Sequence, residues 1–356
     1  MWSGKTLFFF CFSTVLFSCK KPPDGPVYDP KSYELEYGEL PAPHPPADNP
    51  LTIDGVQLGR MLFYEKRLSG NNTQSCASCH RQEHAFSDTN RFSTGIDGFQ
   101  GSRQAMAVFN LLWNTNGFFW DGRAATVREQ SLMPIQDPLE MHETLPNVVE
   151  KLSQDTLYTH QFYRAFGSEE ITQTGISLAL EQFMYSVVSH RSKYDRYLEG
   201  TAFLTEEEEL GRTLFFGEYN PFFPATSGAD CAHCHSGKNF TSPEYMNNGL
   251  DTIYQDPGRG GVTAQSSDQG AMKVASLRNI ALTPPYMHDG RFSTLEAVVD
   301  NYNTGLQAHP NLEPALAMTM GTGLMLTEAQ KAALVAFLHT LTDSALTQDL
   351  RYASPF

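Results

Sequence analysis

Two five-residue stretches limit what this chain can fold into more than anything else in it: Cys76-Ala77-Ser78-Cys79-His80 and Cys231-Ala232-His233-Cys234-His235. In a C-x-x-C-H stretch the two thiols can form thioethers to porphyrin vinyl groups, and the adjacent imidazole becomes the proximal iron ligand. Each stretch therefore reads as a covalent haem attachment site. Cys76, Cys79 and His80 would hold one haem c, and Cys231, Cys234 and His235 the other. A four-cysteine zinc site or a pair of disulfides is the competing reading. Neither needs a histidine directly after both second cysteines.

The N-terminus supplies a compartment in which such chemistry occurs. Residues 1–18 carry Lys5, an apolar run from Leu7 to Phe17, and Ser18 before Cys19, which is the pattern of a secretory signal. Leu16-Phe17-Ser18-Cys19 resembles a bacterial lipobox, so Cys19 is expected to be the acylated first residue of the mature protein. That predicts a lipid anchor on the periplasmic side of a bacterial membrane. The apolar run is too short to cross a bilayer comfortably as a helix. Cys11 leaves with the signal, so all 6 cysteines have a use and no disulfide is expected. The 25 basic residues against 40 acidic ones give a formal net charge of −15. This argues against nucleic acid as a partner and suits either steering of a basic electron donor or plain solubility.

At 356 residues the chain is long enough for two domains. Residues 19–50 are rich in proline and read as an extended, semi-rigid tether. Residues 51–200 read as an N-terminal haem domain, 201–345 as a C-terminal haem domain, and 346–356 as a tail. An internal repeat relates the two domains. Leu58-Gly59-Arg60-Met61-Leu62-Phe63 matches Leu210-Gly211-Arg212-Thr213-Leu214-Phe215 ahead of the attachment sites, the second copy starting from a capping box at Thr205 and Glu208. Downstream, Trp120-Asp121-Gly122-Arg123 matches His288-Asp289-Gly290-Arg291, and Thr126 matches Thr294. Apolar residues recur at helical spacing over 148–166, 176–197, 295–302 and 326–341, strand signals are few, and loops are long over 218–230 and 242–270. The expected fold is mainly α: two cytochrome c-like haem domains related by an internal repeat, with little β.

With His80 and His235 as proximal ligands, function turns on the opposite face of each iron. Pro134 stands as far beyond Trp120 as Tyr302 stands beyond His288, so the repeat makes them equivalent. Proline cannot ligate iron, whereas tyrosine can. If that position faces the distal side, the first haem is open to a small oxidant and the second is closed by Tyr302, with Met318 or Met320 as the alternative ligand. Cleaving peroxide requires a group that carries a proton between oxygens, which suits Glu140. Gln130, one helical turn before Pro134, could hold peroxide or water. The π system of Trp120 could carry a hole between the irons, or simply pack on haem.

At these residues the chain resembles the bacterial di-haem cytochrome c peroxidase family, which includes MauG. The resemblance spans nearly all of 51–342 and rests on the paired attachment motifs, Phe119-Trp120-Asp121-Gly122-Arg123, Glu129-Gln130, Pro134, Glu140-Met141, Leu277-Arg278-Asn279-Ile280-Ala281-Leu282-Thr283 and Pro285-Tyr286-Met287-His288. It implies a largely helical two-domain fold with Trp120 between the haems, Gln130 and Glu140 lining the peroxide pocket, and His288 among the cofactor-binding residues. It also implies a calcium ion between the domains, met by the carbonyls of Thr283 and Pro285 and by Gln104, which stands where the family usually has asparagine. Better-known enzymes of the family carry a distal histidine in the loop after the first attachment motif, yet Ser93 to Gly101 contains none. They also ligate the second haem with methionine, where alignment puts Tyr302, as in MauG.

The leading expectation is therefore a di-haem c-type peroxidase. It would reduce hydrogen peroxide to water at the N-terminal haem, with electrons entering through the C-terminal haem from a small cytochrome c or cupredoxin. One alternative is MauG-like oxidation of a partner protein. Another is a non-catalytic electron carrier with both irons six-coordinate, His84 or a methionine reaching the first. A homodimer is the oligomer to test.

Overall fold

The computed structural model describes residues 1–2 and 25–356. The expected signal sequence and the acylation site at Cys19 lie outside the described residues. Among those described, no helix is long and apolar enough to cross a membrane.

Each half of the chain is built on one helix pair. The Ile53–Tyr64 helix packs on Gln173–Ser186, and Glu206–Phe216 packs on Glu328–His339. The helix axes come close because each pair meets at a glycine. A Cβ at Gly59 would overlap the Ala179 carbonyl oxygen, and one at Gly211 would overlap the Ala333 carbonyl oxygen. Around these contacts Leu58, Leu62, Phe63 and Phe183 form one buried core, and Leu214, Phe215, Leu334 and Phe337 form the other. Even the ring contacts repeat: Phe63–Phe183 and Phe215–Phe337 both have centroids 5.2 Å apart. The capping box predicted at Thr205 and Glu208 forms, with Thr205 Oγ1 accepting from the Glu208 amide at 3.2 Å and Glu208 Oε2 accepting from the Thr205 amide at 2.7 Å. Such a box satisfies two amides that a helix start otherwise leaves bare.

The repeat extends through the irregular segments. An isolated bridge joins Phe118 to Ala124, and another joins Tyr286 to Phe292. The turns they close carry positive φ at equivalent residues, 66° at Phe119 and 73° at Met287. The following helices, Val127–Gln136 and Leu295–Asp300, start at the matched caps Thr126 and Thr294. The only sheet among the described residues is a two-stranded antiparallel ladder of Tyr245–Met246 with Met272–Lys273.

Several expectations change. The periodic stretch 148–166 is two helices, Leu145–Ser153 and Thr156–Phe166, because Asp155 caps the second by accepting from the Leu157 amide. The stretch 176–197 also splits, into Gln173–Ser186 and Lys193–Leu198. Between them the amides of Ser189, His190 and Arg191 turn outward to Asn110 Oδ1 and Asp343 Oδ2 instead of continuing the helix. After Asp300 the backbone widens into a π-helical turn, Asn301–Gly305.

The tether expected over 19–50 is corrected from about Lys31 onward, where the chain lies on the body. Tyr33 donates its amide to the Leu51 carbonyl at 3.0 Å, and Trp113 Nε1 donates to the Pro41 carbonyl at 2.8 Å. Leu40 is buried, and the buried Asn49 bonds Glu181 and Gln182. Proline keeps this segment extended, but its polar anchors decide where it lies. The tail expected over 346–356 is likewise bound: Leu346 and Tyr352 enter the first half's core, and Gln82 Nε2 donates to the carbonyls of Leu346 and Asp349. The end of the second half thus straps the first.

Candidate functional site

Both attachment motifs are shaped alike. Cys76–Cys79 and Cys231–His233 are single helical turns, and the His80 and His235 amides donate to the Cys76 and Cys231 carbonyls, each at 2.9 Å. His80 Nδ1 lies 3.1 Å from the Phe86 carbonyl oxygen, and His235 Nδ1 lies 3.2 Å from that of Phe240. A carbonyl can only accept, so Nδ1 carries the proton and Nε2 keeps its lone pair for a metal. Phe86 and Phe240 sit at φ 60° and 51°, the left-handed region, as the turns around both proximal histidines require. Burial pushes both imidazoles towards the neutral form, His235 down to about 4. The four cysteines are free and half-buried, so no disulfide competes. No group of three or more His, Cys, Asp or Glu side chains converges among the described residues, so the zinc alternative finds no site. Paired thiols beside an oriented neutral imidazole are the donor set that a covalently bound haem needs, and it occurs twice.

Beside the first motif stands Glu140. The Val127–Gln136 helix carries Gln130 and Pro134 one turn apart, and the chain then folds back so that the Met141 amide donates to the Pro134 carbonyl at 3.2 Å. This brings Glu140 next to Pro134. Its charge raises the pKa of both Cys76 and Cys79, so Glu140 lies near the first attachment site. Burial, reinforced by Asp137 and opposed by Arg123, pushes its pKa up to about 7. Pro134 is half-buried and offers no ligating atom, and Gln130 is half-buried on the same helix.

At the second motif Tyr302 occupies the matching place, in the π-helical turn. Cys231 and Cys234 both act on its phenol, Asn248 is its hydrogen-bonding neighbour, and burial pushes its pKa up to about 12. Met318 and Met320, the alternative ligands, are 67% and 38% exposed.

Between the halves, Trp120 Nε1 donates to the Gln104 carbonyl at 2.8 Å, and the Gln104 amide donates to the His288 carbonyl at 2.7 Å. One backbone unit therefore joins the two residues that the repeat makes equivalent. The Gln104 side chain is turned to Ser87 Oγ and the Asp88 carbonyl, both at 3.1 Å. His84 lies in the short turn Gln82–His84 directly after the proximal histidine. Arg103 pairs with Asp121 at 2.6 Å and with Asp256 at 2.7 Å, holding the Trp120 turn to the second half.

Sequence reasoning missed Lys273, which is 8% exposed at the junction. Its amide donates to the Trp120 carbonyl at 2.8 Å, and its Nζ donates to Asn114 Oδ1, Asn116 Oδ1 and the Gly117 carbonyl. Burial, with the Arg259 guanidinium, presses its pKa down to about 7, while three oxygen acceptors favour the charged form. Nothing in Ala271-Met272-Lys273-Val274 marks this lysine as buried. The only clue is the polar set Asn114, Asn116 and Gly117 far away in sequence.

A family profile described as di-haem cytochrome c peroxidase matches residues 54–202. The chain is 37% identical over 302 residues to the methylamine utilization protein MauG of Methylorubrum extorquens, covering 84% of this chain and 81% of that one. It is 35% identical over 307 residues to the cytochrome c551 peroxidase of Nitrosomonas europaea, covering 83% and 82%. Among solved structures, a MauG-like protein associated with microbial copper homeostasis superposes with a TM-score of 0.80 at 36% identity, over 91% of this chain and 99% of that one.

Proposed function

The chain belongs to the di-haem cytochrome c peroxidase family, and from that premise we propose that it reduces hydrogen peroxide to water at the haem held by Cys76, Cys79 and His80. One observation supports the assignment to this haem: a half-buried carboxyl, Glu140, lies near that attachment site beside Pro134, whose side chain offers no atom that could ligate a metal. The two bound haems would supply the electrons that break the O–O bond. Glu140 takes the proton from one peroxide oxygen and returns it to the other, so that the departing oxygen leaves as water; the remaining oxygen would become the second water by taking up two protons, with two electrons from a small redox protein making good those spent. Gln130, a turn from Pro134, orients peroxide by hydrogen bonding. His80 and His235 hold their metals through Nε2, their Nδ1 protons fixed by the Phe86 and Phe240 carbonyls. Tyr302 would ligate the second metal through its phenol, a reading supported by the influence of Cys231 and Cys234 on that phenol and by the exposure of Met318 and Met320. Trp120, joined through Gln104 to His288, stands in the path between the halves.

The test is Glu140→Gln in the holoprotein. Loss of peroxide consumption with an unchanged Soret spectrum supports the role, and retained turnover refutes it.

A second reading, MauG-like oxidation of a partner protein, draws on the Tyr302 phenol and on the 37% identity to a MauG. Peroxide consumption coupled to a reduced small cytochrome favours the first reading, and peroxide-dependent crosslinking or hydroxylation of a partner protein favours the second. The reading also includes one calcium ion. Gln104 Oε1 and the Thr283 and Pro285 carbonyls accept no hydrogen bond among the described residues, and they are the oxygen donors a hard cation takes. Finally, it includes attachment through lipidated Cys19 to the periplasmic side of a bacterial membrane. Labelling with a radioactive fatty acid that vanishes in Cys19→Ala tests that point.

A further inference from the structure

Glu140 sits in a turn with little regular structure of its own, so something else must hold its carboxyl in place. The segment 93–100 does this from the side. The Ile96 amide donates to the Glu140 carbonyl at 2.9 Å. Gly95 packs so closely that a Cβ there would overlap the Leu139 carbonyl oxygen and lie 2.7 Å from that of Glu140. Beyond the turn, His142 Nδ1 and Asp97 Oδ2 lie 2.5 Å apart. From below, the Gly70 amide donates to the Met141 carbonyl at 2.9 Å. The same segment is tied to the chain on either side of the first attachment motif, since Gln74 Nε2 donates to the Thr94 carbonyl at 2.8 Å and Ser93 Oγ donates to Asp88 Oδ2 at 2.7 Å. It also closes on itself through the Gly95 amide and the Phe99 carbonyl, and through the bridge between Thr94 and Gln100.

We propose that the loop 93–100 is a latch that positions Glu140, with Gly95, Ile96 and Asp97 as positioning residues that fix the carboxyl relative to the first attachment site. The inference rests on the reading of Glu140 as the proton-transfer group. Three features argue for a dedicated device over incidental packing. The loop grips the turn at three successive residues, 95 to 97. Its contact at Gly95 tolerates no side chain. Its first two residues, Ser93 and Thr94, are bonded to Asp88 and Gln74, on either side of the attachment motif whose haem Glu140 would serve. The latch also accounts for a loop without a histidine of its own, because a segment held against the Glu140 turn cannot also deliver a side chain to the metal.

The test uses the resting holoprotein and the Soret change on mixing with hydrogen peroxide, which needs no electron donor. Gly95→Ala must push the Glu140 turn away, and a displacement of about 1 Å at a reacting group can slow a reaction roughly 10²-fold. Gly95→Ala is therefore expected to slow the peroxide reaction by about that factor, and to cause no further loss in a Glu140→Gln background, where there is nothing left to misplace. Undiminished reaction in Gly95→Ala overturns the latch, and so does a loss that multiplies with that of Glu140→Gln. If Glu140→Gln itself reacts normally, the reading of Glu140 falls instead, so the two failures are distinguishable. Should Gly95→Ala not load haem, Asp97→Ala carries the test, because that side chain is 43% exposed. It should keep the melting temperature and Soret spectrum while moving the pH profile of the peroxide reaction, which reports on Glu140 between Asp137 and Arg123 once the Asp97–His142 contact that holds its turn is gone. An unmoved profile overturns the proposal.

Discussion

Glu140 combines two properties that a proton carrier needs, a carboxyl close to the first attachment site and a pKa pushed up to about 7. Accepting a proton from peroxide requires the ionised form, so the peroxide reaction should rise with pH through about 7 and level off above it. Glu140→Gln should abolish that limb together with the rate. Linkage gives a second consequence. A carboxyl whose folded pKa lies above its unfolded value stabilises the fold fully below the ordinary carboxylate range and loses that contribution as pH rises through about 7. Melting temperature should therefore fall across that window, less so in Glu140→Gln. Asp195 shows the opposite case. Burial pushes its carboxyl up, but the Arg278 guanidinium, bonded at 2.7 and 2.8 Å, outweighs burial and holds it below the usual range. Asp195→Ala would leave Arg278 buried and unpaired, with an expected loss of about 3–5 kcal/mol in denaturant unfolding. The two attachment motifs were legible from the sequence, because such chemistry demands fixed residue types at fixed spacings. Arg278 and Asp195 were not, since a pair so far apart in the chain is made only by the fold.

At the scale of elements, the repeat made most of the architecture readable. Leu58–Phe63 and Leu210–Phe215 announced a matched pair of elements, and they are helices; the matched Asp-Gly-Arg stretches announced equivalent segments but not the bridges Phe118–Ala124 and Tyr286–Phe292 that flank them. Helix ends were harder, because an apolar period runs on through a break such as 187–192, whose amides are claimed by Asn110 and Asp343. The helix pairs offer a symmetrical prediction. Gly59→Ala and Gly211→Ala each force a methyl group against a backbone carbonyl, so both should cost at least about 1–3 kcal/mol, the usual range for overpacking. Equal losses in the two halves would match the equal geometry, whereas tolerance at either glycine would contradict it. At the junction, Lys273→Ala strips three oxygens of their donor and should cost about 3 kcal/mol while leaving both attachment sites intact.

Across the whole molecule, two segments expected to hang free instead hold it together. The chain from about Lys31 to Pro50 lies along the first half, and the last residues of the second half are buried in the first half's core through Leu346 and Tyr352. Composition suggested neither, because proline content reports backbone stiffness and says nothing of what the segment touches. Removing residues 346–356 should lower the melting temperature of the first half more than that of the second. The proposed function depends on an asymmetry between two otherwise repeated halves, a proline at 134 and a tyrosine at 302. Electron paramagnetic resonance of the resting, doubly haem-loaded protein reads both metals at once. It should give one high-spin ferric signal from a five-coordinate first haem and one low-spin signal from a second haem closed by Tyr302. Two low-spin signals would mean that the first metal is closed as well, and would contradict the account.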